Sequence, residues 1–152
     1  MSAAPAPLRL AIVTPAGGWV ELTGPAATVG DVHRLRVGSL SDAARLAAAS
    51  ARPAFVDVDV LLSGSVNQAF LEFTDRHPEW SPGARADAIV HPGTVATLAG
   101  LLWDVWAAQV ADGVTLLSDD PESLLDRLVD DVIPLLHSRG LPIDLGAPAP
   151  AA

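Results

Sequence analysis

Apolar and polar positions along the chain change period several times, and each change marks an element. Leu8 to Val13 is a short apolar run, Pro15 to Gly18 carries turn chemistry, and Trp19 to Leu22 is apolar again, so the three read as a β-hairpin. His33 to Val37 alternates, with Leu35 and Val37 on one face and Arg34 and Arg36 on the other. Phe55 to Leu62 is the clearest alternating strand of the chain. Helical spacing predicts Asp42 to Ala51, with Ser41 as N-cap, and Val66 to Arg76, led in by Ser63-Gly64-Ser65 and closed before His77-Pro78. Ala88 to Leu141 then reads strand, helix, strand, helix, and Pro78 to Arg85 is a loop before it.

Within that stretch, Ala88 to Val90 opens a strand and Thr94 caps a helix running to Val110, whose core stripe is Val95, Leu98, Leu102 and Val105. Leu101, Trp103 and Trp106 make its other faces apolar too. A helix of that kind is buried on most sides or meets another chain. Gly113 to Leu117 is the last strand. The final helix starts with Asp120 as cap and Pro121 at its first position, carries Leu124, Leu128, Val132 and Leu135 on one stripe, and ends at Arg139-Gly140 before Pro142. Pro134 removes one backbone bond inside it and predicts a kink. The expected fold is therefore a single α/β domain over residues 8–142, parallel strands alternating with helices behind an N-terminal β-hairpin. The segments 1–7 and 143–152 are expected to be disordered tails.

Composition narrows the chemistry. Among 152 residues there is no Cys, no Tyr and, since all nine basic residues are Arg, no Lys. Thiolate, phenol and Schiff-base chemistry are excluded, which leaves Ser, Thr, Asp, Glu and His as nucleophiles or bases. A net charge of -9 with no basic patch argues against nucleic-acid binding. No apolar run is long enough for a membrane span, and no secretory signal opens the chain, so a cytoplasmic protein is expected.

Several residues of this pattern also carry a family likeness. Gly93-Thr94-Val95 with Ala96 and Leu98, then Asp112-Gly113-Val114, then Val132-Ile133-Pro134-Leu135-Leu136 and Arg139-Gly140-Leu141 follow in order. This series resembles the C-terminal end of the bacterial-luciferase-like flavin-dependent monooxygenases, in the nitrilotriacetate-monooxygenase-like branch. Upstream, Val20-Glu21-Leu22-Thr23-Gly24-Pro25 resembles that family's hairpin, and Arg36-Val37-Gly38-Ser39 with Ala43, Ala44 and Leu46 resembles its strand-to-helix turn, although Leu40 and Ala43 stand where the family has a second Ser and a Gly. The likeness spans roughly residues 19 to 142. It implies a partial (β/α) barrel, because the family fold is a closed barrel of about 250 residues and no counterpart of its N-terminal half is present. It further implies reduced FMN, or a deazaflavin, as cofactor, oxygen and a small organic molecule as substrates, and Gly38, Ser39 and Ser41 as the turn that holds the flavin phosphate. The alternative is a catalytically degenerate half-barrel that acts as a binding or assembly module, forming a homodimer or docking a partner through Trp103 and Trp106.

Each candidate has a simpler reading beside it. Gly38, Ser39 and Ser41 would also be explained by an ordinary capped turn. Asp57 and Asp59 share one face of a strand, about 6 to 7 Å apart, as an acid/base pair would, and equally as a solvated or edge-guarding face would. His91 falls at the C-terminal end of a strand, where barrel enzymes place chemistry, but a His that only packs a turn also sits there. Trp103 and Trp106 suit flavin stacking or an interface. The four His residues show no ligand spacing, so no metal is expected.

Overall fold

A computed structural model describes residues 6–24, 26–81 and 88–145. Six strands form one sheet: β1 (Arg9–Val13), β2 (Trp19–Glu21), β3 (His33–Leu35), β4 (Ala54–Leu62), β5 (Ile89–Gly93) and β6 (Gly113–Leu117). Only β2 runs antiparallel, as the second arm of the hairpin with β1; the other pairings are parallel. The helices are α1 (Leu40–Ala48), α2 (Val66–Arg76), α3 (Val95–Ala107), α4 (Pro121–Arg127) and α5 (Ile133–Ser138). The result is a curled, mainly parallel sheet alternating with helices, as the periodicity predicts.

The sheet order is β2-β1-β6-β4-β3. Residues 55 and 56 of β4 pair with both β3 and β6, and residues 58 and 59 with both β5 and β6. Since a strand has two edges, β3 and β5 occupy the same edge of β4, one after the other. Apart from β5, the parallel strands stand in cyclic chain order, β3 beside β4, β4 beside β6, and β6 back beside β1.

One face of the sheet builds the main core. Leu10, Ile12, Leu35, Val56, Val58, Val60, Val114 and Leu116 meet Ala43 of α1, Leu98 and Leu102 of α3, and Leu124 and Leu136 of the C-terminal helices. The opposite face carries α2, whose Ala69 and Phe73 pack on Leu61, and a smaller cluster of Ala11, Val32 and Phe55. Trp19 closes over that cluster, edge-on to Phe55 at 5.2 Å, with its indole N–H donated to Thr115 Oγ1 at 2.9 Å. Gly113 is required where β6 passes this cluster, because a Cβ there would lie 2.7 Å from the Arg9 carbonyl and 2.7 Å from the Phe55 ring.

Local chemistry corrects three expectations. The N-cap of α1 is Ser39, which accepts from the Asp42 N–H at 3.1 Å, and Ser41 is inside the helix, which runs from Leu40 to Ala48 instead of Asp42 to Ala51. Pro134 does not simply kink the last helix. One π-turn, Leu128–Val132, precedes it and shifts the hydrogen bonding to Ile133 N–H onto Leu128 C=O, after which α5 continues with Pro134 in its first turn, where no amide is needed. The ordered chain also extends past 142: Ile143 is buried in the core and Leu145 bridges Thr23. Of the segments expected as tails, residues 1–5 and 146–152 lie outside the described residues, as do residues 82–87 of the loop after Pro78.

Candidate functional site

Phe55, Asp57, Asp59 and Leu61 alternate onto the face of β4 opposite the main core, so the strand that supplies Val56, Val58 and Val60 to the core also presents two carboxylates. Because β4 is paired along both edges, these are not edge-guarding residues. Asp57 is only 3 % exposed. Arg34, one strand away, meets it with both ends of the guanidinium, Nε to Oδ1 at 3.2 Å and Nη2 to Oδ2 at 2.9 Å. Arg36 reaches on to Asp59 at 3.2 Å and lies 3.8 Å from Asp57. Burial raises the Asp57 carboxyl above the usual carboxylate range, and the Arg34 and Arg36 charges only partly oppose it. A second pair on this face joins Arg9 to Glu21, at 2.7 and 2.8 Å. Burial pushes the Glu21 carboxyl up, but hydrogen bonds from Arg9, Thr23 and the Ala27 N–H outweigh it and hold Glu21 below its ordinary value.

A crevice of about 430 Å³ opens at the carboxyl ends of β4 and β6. Its position follows from topology. α2 leaves β4 toward one face of the sheet, whereas α4 leaves the adjacent β6 toward the other. Between two parallel strands whose following helices diverge, a gap must remain, and open α/β sheets bind ligands in that gap. Leu61, Phe73, Leu117 and Leu124 form its apolar floor and walls. Its polar groups are Asp59, Glu72, Arg76, His77, Ser118, Asp119, Asp120, Ser123 and Arg127. Asp119 faces α2 across the opening, 3.7 Å from Arg76 and 3.6 Å from His77. Asp120 is occupied as the α4 cap, accepting from the Ser123 N–H. Four carboxylates against two guanidiniums leave the lining acidic.

Of the sequence candidates, only Asp59 lines this crevice. His91 pairs with Val60 and projects from β5 on the main-core side, where its Nε2 lies 3.0 Å from Thr97 Oγ1, and burial holds its pKa below the ordinary value. The Gly38 to Ser41 turn follows β3 and does not line the crevice. Leu35, the last residue of β3, pairs with Val56, so β3 stops about 20 Å short of Leu62 at the end of β4, and β5 fills the remaining edge. Trp103 and Trp106 sit on α3, partly buried, with ring centroids 5.1 Å apart and remote from Asp59 in the fold. From the sequence His77 has no ligand spacing, Asp119 is explained by the helix cap that follows it, and Arg76 does not stand out, because the three belong to different elements with no fixed spacing. The signal that was available is the pair of loops following β4 and β6.

Among the described residues, no three His, Asp or Glu side chains converge as metal ligands, and no helix is long and apolar enough to cross a membrane. No family model matches the chain, and neither a curated protein nor a solved structure matches it.

Proposed function

We propose that the chain is a small-ligand-binding half-barrel module and not a self-sufficient redox enzyme. The observation that carries this reading is the crevice between α2 and α4 at the carboxyl ends of β4 and β6, with apolar walls and an acidic rim. An acidic rim disfavours phosphates and favours an uncharged or cationic organic molecule, whose apolar part would rest on Leu61 and Phe73. Trp80, 4.8 Å from Phe73, makes occupancy readable in its emission. Thermal-shift and emission titrations of the full chain with small organic cations, neutral polyols and FMN test this. A cation or polyol at 100 times its Kd should add about 2.7 kcal/mol of stability, and Phe73→Ala and Asp59→Asn should weaken that gain. A larger gain with FMN than with either other class would overturn the proposal.

A flavin-dependent oxidoreductase is the second reading, and the cyclic order of β3, β4, β6 and β1 supports it, since a closed barrel likewise brings its last strand back to its first. The luciferase-like motifs after Gly93 point the same way. On this reading FMN or a deazaflavin would have to use Arg76 and Arg127 for its phosphate and the apolar walls for its ring. The same titration separates the two readings.

A further inference from the structure

On the far side of the domain from the crevice, α1 and α3 leave a groove of about 360 Å³ that is walled by Ala44, Ala47 and Ala48 on one side and Trp106 on the other. The groove already holds a short piece of the chain: the Trp106 indole N–H donates to the Ala6 carbonyl at 3.0 Å, with Pro7 lining the groove beside it. An indole N–H is a donor only, and a carbonyl that no regular structure has claimed can satisfy it. Ala-Pro segments supply such carbonyls, because proline has no N–H with which to pair them and the segment is extended before it binds. The sequence Ala4-Pro5-Ala6-Pro7 occurs a second time, as Ala147-Pro148-Ala149-Pro150.

We propose that the Trp106 groove is a docking site for Ala-Pro segments and that its partner is the Ala147–Pro150 segment of a second copy of this chain, which competes with or lies alongside Ala6-Pro7. The path of the C-terminal residues favours a second copy over the same chain. Pro142 accepts from the Leu8 N–H at the start of β1, and the next residues run to the outer strand, where the Gly24 N–H donates to Asp144 and Leu145 bridges Thr23. From Leu8, which lines the groove, that path leads away toward the β2 edge of the sheet, while the alanine wall of the groove belongs to α1, over β3 and β4. Docking of proline-rich segments on aromatic-lined grooves is weak for each contact and costs little conformational entropy, so a concentration-dependent dimer is expected.

The test uses the full chain. The peptide Gly-Ala-Pro-Ala-Pro-Ala-Ala is titrated into isotope-labelled protein while the four indole N–H resonances are followed, and sedimentation is measured across a dilution series with and without residues 146–152. The proposal expects the Trp106 indole signal to move saturably, the peptide with both prolines replaced by glycine to bind at least tenfold more weakly, and the dimer to disappear when residues 146–152 are removed. Trp106→Phe, which keeps the ring and loses the donor, should weaken peptide binding by a similar factor; Ala47→Glu, which fills the groove, serves if that variant does not fold. An indole signal unmoved at millimolar peptide, or self-association unchanged by the truncation, would overturn the proposal. A Trp106 signal that changes on truncation independently of concentration would place the segment in the same chain and overturn it as well.

Discussion

Replacing Arg34 by Met keeps most of the side chain's length and removes its charge, which isolates the electrostatic cost of the Asp57 carboxylate. Asp57 is 3 % exposed and takes both of its close hydrogen bonds from Arg34. Removing one partner of a buried pair typically costs about 3 to 5 kcal/mol, because the remaining charge is left desolvated. Two features of the site reduce that figure: Arg36 stays 3.8 Å away, and the Arg34 side chain is itself 31 % exposed. A loss of about 2 kcal/mol at pH 7 follows. Its pH dependence has a definite sign. Burial already raises the Asp57 pKa in the folded state, and Arg34→Met raises it further, so the folded variant holds this proton more tightly than the unfolded chain does. The penalty should then be smallest below the folded pKa of the wild type, where Asp57 is protonated in both proteins, grow as pH rises at up to about 1.4 kcal/mol per unit, and level off above the folded pKa of the variant. Urea denaturation of wild type, Arg34→Met, Asp57→Asn and the double variant, at several pH values from 4 to 8, measures this. A penalty that does not change with pH, or a double variant no more stable at pH 7 than Arg34→Met, would refute the assignment of the cost to Asp57.

Gly113→Ala should destabilise by about 3 kcal/mol, or roughly 6 to 12 °C in Tm, since the added methyl meets the Arg9 carbonyl as well as the Phe55 ring and backbone cannot step aside; a Tm change under 2 °C would contradict that packing. His91 titrates below its unfolded value because it is buried, so the unfolded chain binds the extra proton first and stability falls as pH drops from about 6.5 toward the lowered folded pKa. Wild type should therefore lose more stability between pH 7 and pH 5 than His91→Gln, and equal losses in denaturant midpoint would show that His91 is not the group responsible.

Much of this fold was legible because short apolar or alternating runs are bounded by turn and cap residues. β6 matches its expected range of Gly113 to Leu117, α2 matches Val66 to Arg76, and Thr94, Ser65 and Asp120 cap the helices assigned to them. Misses occurred where two local rules competed. Gly38-Ser39-Leu40-Ser41 offers two hydroxyls that could each cap a helix, and the choice of Ser39 lets Ala43 fall on the buried side of α1, against the core. Pro134 predicted a kink, and the helix takes the proline up through one π-turn just before it, with Val132, Ile133 and Leu136 all buried.

The site was harder to see than the fold for a reason that lies in β4. Asp57 and Asp59 look equivalent in sequence, two positions apart on one face, and only pairing distinguishes them. Asp57 lies just past the end of β3, whose Leu35 pairs with Val56, within reach of Arg34, and is sealed there; Asp59 lies level with Val90 of β5 and with Leu117 at the end of β6, and so reaches the crevice. Nine residues of β4 are long enough to carry two short strands in succession on one edge, and no local pattern announces that arrangement. The Gly38 to Ser41 turn follows the shorter of the two strands, β3, and does not line the crevice. A deletion of residues 78–87 that disrupts β5 should loosen α2 and abolish crevice binding while leaving the Ser39 cap intact, seen as retained amide protection for Asp42 and Ala43 beside lost protection in β5. Loss of both together would mean that the turn and the crevice form one unit after all.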